Sequence, residues 1–234
     1  MSTRREPVSR RERPAKPALS RAWIVETAVR VMRAEGLARV TMRRLATELD
    51  TGPASLYVYV QNTAELHAAI LEELLGEVDL APVGAAGDWQ ERIGAVLASY
   101  AEVLAVNPGL ARSALVARPS GPNYLALVEG LLALLAEGGV EDGQAAWGVD
   151  LLMLVSTASV VEHAGHDESP RSDEEWSSLT SAVQDASAAE TPRVAALGSL
   201  LLSGTPAQRQ AWAVRMLING AMHTPLPGSA RAAD

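Results

Sequence analysis

Residues 41–60 constrain this chain more than any other stretch. Thr41 is suited to cap a helix N-terminus, and Met42, Leu45, Ala46 and Leu49 follow it at helical spacing. Asp50, Thr51 and Gly52 then interrupt the pattern. Gly52 can adopt a left-handed turn conformation, and Pro53 is pre-set for the first position of a second helix. Leu56 and Val60, four residues apart, predict an inward face that leaves Ser55, Tyr57 and Tyr59 outward. Two short helices joined by a short glycine-bearing turn form a helix-turn-helix unit, whose second helix fits a DNA major groove. Sequence-specific DNA binding is therefore the leading expectation.

A formal charge of −8 looks unsuited to that expectation until it is divided along the chain. Residues 1–60 carry 12 Lys and Arg against 6 Asp and Glu, whereas residues 61–234 carry 8 against 22. A basic head on an acidic body concentrates attraction to phosphate at one end and limits adhesion elsewhere. The absence of cysteine rules out disulfides, thiolate nucleophiles and zinc–thiolate sites. Residues 1–20 are basic without an apolar core, unlike a signal peptide. The longest apolar run, Leu151–Val161, is too short for a membrane span. A soluble, cytoplasmic protein without membrane contact is expected.

Helical periodicity runs through most of the chain with no convincing strand, which predicts an all-α fold. Residues 1–18 read as a disordered basic arm and 19–63 as a three-helix DNA-binding domain. A connecting helix occupies 64–80, its pattern running from about 63 to 78. Leu80–Gly87, with Pro82 and two glycines, is the expected hinge. Residues 81–225 form a larger helical regulatory and dimerisation domain, and 226–234 a disordered tail. Within residues 81–225, helices are expected at 88–105, 108–117, 121–137, 143–164 and 173–189, then a short segment near 193–202 and a last helix at 206–222. Helices 143–164 and 206–222 are apolar on most sides, through Trp147, Leu151, Leu154, Trp212 and Leu217 among others. A helix apolar all round needs partners on every side, so these two predict a homodimer built on a four-helix interface. Such a dimer would offer two recognition helices to half-sites about 34–36 Å apart.

Residues 20–78, and above all the string from Thr41 to Asn62 with Ser55–Leu56–Tyr57, Tyr59 and Val60, resemble the TetR family of bacterial transcriptional regulators. Gly36 before Leu37 and the run Val40–Ala46 fit the same pattern. The remaining helices resemble the regulatory domain of the tetracycline-repressor type in order and length. By this resemblance Thr41, Tyr57 and Tyr59 contact phosphates of double-stranded operator DNA, while Arg43, Pro53, Ala54 and Ser55 face base edges. Thr51, Gly52 and Thr63 complete the implied contact set. An Arg side chain can grip guanine O6 and N7 with two hydrogen bonds, and Tyr hydroxyls suit phosphate oxygens. The chain departs from the family at Asp50, where glycine is common, and at Gln61 and Thr63, where lysine is common. Fewer cations predict a shallower salt dependence of binding.

The resemblance also implies a small-molecule effector, bound among the C-terminal helices, that re-poses the fourth helix and releases a repressor from DNA. Trp89, Tyr100, Trp147, Met153, His163, Trp176, Trp212 and Met216 are the candidate lining residues, because aromatic and thioether groups suit an apolar cavity. His163 and His166 are three apart, but Gly165 between them marks an expected helix end, so no metal and no cofactor is predicted. An enzyme is not expected. With four histidines, no cysteine and no phosphate-cradling glycine loop, no nucleophile–base pair can be assembled. A constitutive DNA binder without effector is the alternative within the DNA-binding class.

Overall fold

The computed structural model describes residues 18–116, 119–168 and 172–228. Among these residues there are eleven α-helices, two short 3-10 turns and no strand. The expected basic arm and most of the expected C-terminal tail lie outside the described residues.

Three of the four helices of the N-terminal part begin where a side chain satisfies a free backbone N–H group, and α3 begins instead at Gly52–Pro53. Ser20 Oγ accepts from Trp23 N–H at 3.2 Å and starts α1 (Arg21–Glu35). Thr41 Oγ1 accepts from Arg44 N–H at 3.1 Å and starts α2 (Met42–Glu48). After α3 (Pro53–Leu56), Asn62 Oδ1 accepts from Glu65 N–H at 2.8 Å and starts α4 (Thr63–Leu75). Ile24, Ala28, Leu45, Leu49, Leu56 and Val60 are buried together as the core of this part. Burying one such side chain contributes roughly 1.5–3 kcal/mol, against roughly 0–1 kcal/mol for a surface ion pair. The apolar core therefore holds the bundle, and the ion pairs on its surface serve mainly to orient it.

The rest of the described chain packs around a long central helix. In order come α5 (Trp89–Ala105), α6 (Pro108–Ala114), α7 (Pro122–Glu137), α8 (Asp142–Glu168), α9 (Ser172–Gln184), α10 (Pro192–Leu201) and α11 (Pro206–His223). Helix α8 touches α5, α6, α7 and α11, while α4 packs between α1 and the pair α6 and α7. By length and apolarity, Asp142–His163 could cross a membrane: it is 22 residues long with a mean hydropathy of 1.4. Ser156, Thr157 and Ser159 interrupt the apolar run without ending the helix, and 39% of the segment is buried inside the fold. Ser156 and Thr157 are buried against neighbouring helices.

Other boundaries also move. Leu80–Gly87 is not a loose hinge: it contains a 3-10 turn (Ala81–Gly84) held by the buried Arg92. The Arg92 guanidinium donates to Pro82 O at 2.9 Å, to Val83 O at 2.5 Å and to Glu137 Oε1 at 2.7 Å. Helix α8 continues through Gly165, because one glycine costs a helix only about 1 kcal/mol. Helices α4, α6 and α9 end earlier than the pattern suggested, at Leu75, Ala114 and Gln184.

Candidate nucleic-acid interface and effector cavity

The turn between α2 and α3 shows how local chemistry aims the second helix. Thr51 N–H donates to Ala46 O at 2.8 Å and Asp50 N–H to Thr47 O at 3.2 Å, the paired closure of a Schellman C-cap. That closure requires a left-handed residue at C′, and Asp50 supplies it with φ +47°. The expectation that Gly52 would take this role is corrected: Gly52 is extended at φ −81°, ψ 144° and serves as the N-cap of α3. The left-handed residue belongs at the C′ position of α2, two residues before the glycine.

Helix α3 has only four residues, shorter than the segment 53–60 expected, and Tyr57–Tyr59 continue it as a turn. It buries Leu56 and exposes Pro53, Ala54 and Ser55. Tyr57 is 51% exposed, whereas Tyr59 is half-buried against the core, so the outward reading of Tyr59 is only partly met. Thr41, Arg43, Gly52 and Thr63 are exposed and Thr51 is half-buried. The predicted contact residues thus gather on α2, the turn, α3 and the start of α4.

Consecutive arginines on α2 have opposite fates. Arg44 donates through Nη2 to Glu35 Oε1 at 2.6 Å and through Nη1 to Glu48 Oε1 at 2.5 Å. These hydrogen bonds, led by Arg44, hold both carboxyls below their ordinary range; Arg30 adds to the effect on Glu48 and Arg39 to that on Glu35. Arg21, Arg30, Arg33 and Arg39 are likewise paired, with Glu65, Glu48, Glu77 and Glu35. Among the described residues, Arg43 alone of the six arginines in 18–60 has no ion-pair partner. Its guanidinium is left to the outer surface.

A cavity of about 120 Å³ lies where α4, α5, α6, α7 and α8 meet. Leu71, Leu75, Leu115, Tyr124, Asp150 and Thr157 line it, together with Tyr100 and Met153. Thr157 Oγ1 donates to Met153 O at 2.8 Å, so the Tyr100 hydroxyl, 2.7 Å from Thr157 Oγ1, is the donor in that pair. Burial pushes the Tyr100 phenol above its ordinary value. Of the eight residues expected to line a pocket, only Tyr100 and Met153 are brought together here. Trp89 packs over Gly138, and His163 bonds its own helix at Ser159 O. Trp147, Trp176, Trp212 and Met216 are at or near half-exposed or more, and point away from a single-chain interior. The His166 side chain lies outside the described residues. A wider open groove of about 630 Å³ runs between α5 and α11. The smaller cavity is the better candidate for an effector because α4, which leads back to α3, forms one of its walls.

Sequence reasoning missed Leu71, Leu75, Tyr124 and Thr157 as lining residues, and Arg92 and Glu72 as polar anchors. Leucines at helical spacing carry no mark that separates cavity wall from solid core, and the polar anchors find their partners far away in the chain.

Comparison with known proteins bears on both ends of the molecule. Residues 24–70 match the model for bacterial regulatory proteins of the tetR family, and residues 81–219 match the tetracyclin repressor-like C-terminal domain. This chain belongs to the TetR family. The structure resembles that of SCO7704 from Streptomyces coelicolor, 55% identical over 91% of this chain and 99% of that one, with a TM-score of 0.77. ActR from the same organism, solved in complex with actinorhodin, is 31% identical over 92% of this chain and 99% of its own, with a TM-score of 0.77. The HTH-type transcriptional repressor DrrR1 of Streptomyces coeruleorubidus is 31% identical over 133 residues, 57% of this chain and 49% of its own length. The chain spans about half the length of the curated relatives it matches, 52% and 49%.

Proposed function

We propose that this chain is a homodimeric transcriptional repressor that grips operator DNA with α2 and α3 and releases it when a small molecule fills the cavity bounded by α4 to α8. The observation that carries the DNA-binding part is the unpaired, exposed Arg43 beside a fully committed Arg44. Arg43 reads base edges together with Pro53, Ala54 and Ser55. Thr41, Tyr57, Tyr59 and Thr63 hold phosphates, and Thr51 and Gly52 let the backbone approach the groove. DrrR1 is named a repressor, which supports that direction of control.

The effector part rests on the cavity and on ActR, a relative crystallised with small molecules. A ligand shifts a two-state protein only by its differential affinity, typically about 1–3 kcal/mol of coupling. Filling the cavity presses on Leu71 and Leu75 of α4 and so favours a pose of α4 that misplaces α3. Dimerisation rests on the exposed apolar faces of the adjoining helices α8 and α11.

The test is a gel-shift titration of the chain against the DNA upstream of its own gene, with random duplex as competitor. Tenfold or greater preference for one upstream segment is expected. Equal binding to both would overturn the regulator reading.

A further inference from the structure

Helix α7 starts without a cap of its own. Gly121 at the N-cap has no side chain and Pro122 at the first helical position has no N–H, which leaves the next two donors, Asn123 and Tyr124, without intrahelical partners. The carboxylate of Glu72, on α4, satisfies both: Oε1 accepts from Asn123 N–H at 2.7 Å and Oε2 from Tyr124 N–H at 3.3 Å. Asn123 answers by donating its side-chain Nδ2–H to Glu72 O at 2.9 Å. The two helices meet so closely that a Cβ on Gly121 would lie 2.4 Å from the Glu72 carboxyl. The cap is thus imported from a residue about fifty positions earlier, and neither helix can move without stranding the other's polar groups.

This latch sits on the cavity wall. Leu71 and Leu75 flank Glu72 on α4 and line the cavity, as does Tyr124 on α7. The far end of α4, about 14 Å from Glu72 by helix geometry, follows directly on Val60 and Asn62 at the end of the recognition segment. We propose that Glu72 is the positioning residue that couples the effector cavity to the DNA-binding end: bound to the start of α7 it fixes α4 in the pose that fits DNA, and a cavity occupant that displaces Tyr124 opens the latch. The proposal rests on the DNA-binding reading above.

Because coupling is reciprocal, DNA must tighten the latch, and this can be read without knowing the effector. The amide protons of Asn123 and Tyr124 depend on Glu72 alone for protection, so their hydrogen exchange reports its state. The probe is a duplex selected by the full-length protein from a random 20-base-pair library. Binding it is expected to slow exchange at these two amides at least fivefold in the unmodified protein. In Glu72→Gln, whose amide can accept from only one of the donors, the slowing should be lost while protection at Ala54 and Ser55 persists. Gly121→Ala, which crowds the carboxyl without altering it, should behave like Glu72→Gln. Failure to select any duplex would defeat the DNA-binding reading and this proposal together. A selected duplex that leaves Asn123 and Tyr124 unchanged in the unmodified protein, or equally slowed in both variants, would overturn the latch alone.

Discussion

Arg44 on α2 donates to Glu35, the last residue of α1, at 2.6 Å, and thereby fixes the angle at which α2 leaves the first helix. The same guanidinium holds Glu48, so two carboxylates titrate below their ordinary value of 4.5 in the folded chain. A carboxyl whose folded value is depressed binds fewer protons folded than unfolded near that pH. Its stabilisation is complete above 4.5 and is lost as pH falls through the depressed folded value. Arg44→Met should therefore be less stable than the unmodified protein at pH 7, with the gap closing in acid below pH 4.5. Urea denaturation at a series of pH values measures both; a gap that persists unchanged into acid would mean that Arg44 acts through packing instead.

Asp50 holds a backbone conformation that favours glycine, with φ +47° at the C′ position of α2. Relief of that strain outweighs the extra unfolded-state freedom of glycine, so Asp50→Gly should stabilise the protein by about 0.5–1 kcal/mol. Gly36 presents the opposite case. At φ +86° and ψ 158° it occupies a region essentially closed to other residues, and Gly36→Ala should cost about 1–3 kcal/mol. Thermal unfolding of the two variants should move the midpoint in opposite directions.

The parts of this molecule that can be read from sequence are those fixed by near neighbours. Ser20, Thr41 and Asn62 announce the starts of α1, α2 and α4 because each caps a donor three residues away. Leu45, Leu49 and Leu56 announce the core because their spacing follows the helix period. The residues that escaped are bound to distant partners. Arg92 meets Glu137 and Glu72 meets Asn123 only after the chain has folded back, so each looks in sequence like an ordinary solvated charge. Trp147 and Trp212 misled for a related reason. Periodicity shows that α8 and α11 have more apolar surface than one neighbour needs, but not which face turns into the chain and which turns out. The Schellman closure at Asp50 is masked in the sequence because Gly52, two residues on, offers a more familiar signal for the same bend.

Arg43 and Tyr57 should separate base reading from phosphate anchoring. Arg43→Ala should weaken the preferred duplex by about 1–3 kcal/mol and relax the preference at one position of each half-site. Tyr57→Phe removes a single hydroxyl and should weaken all duplexes alike, by about 0.5–1.5 kcal/mol. Titrating each variant against the preferred duplex and its single-base changes distinguishes the two effects. The reverse pattern would reassign the contacts.

The exposed apolar surface of α8 and α11 predicts what holds two copies together. Trp147 is 59% exposed and Trp212 65%, with Leu151, Leu154 and Met216 beside them on the same two helices. Single exposed apolar residues are unremarkable, but a contiguous set on two adjoining helices marks an interaction surface. A two-fold axis between the helices would let each patch cover its copy. Trp212→Asp places a charge on that surface at a side chain 65% exposed, so the helical content should be unchanged by circular dichroism. Sedimentation equilibrium at micromolar concentration should show a dimer for the unmodified protein and a monomer for the variant. The variant should also lose affinity for a two-half-site duplex far more than for a single half-site, because separate copies no longer share one binding event. A variant that stays dimeric would move the interface off α11, and a monomeric unmodified protein would leave the paired recognition helices without a frame.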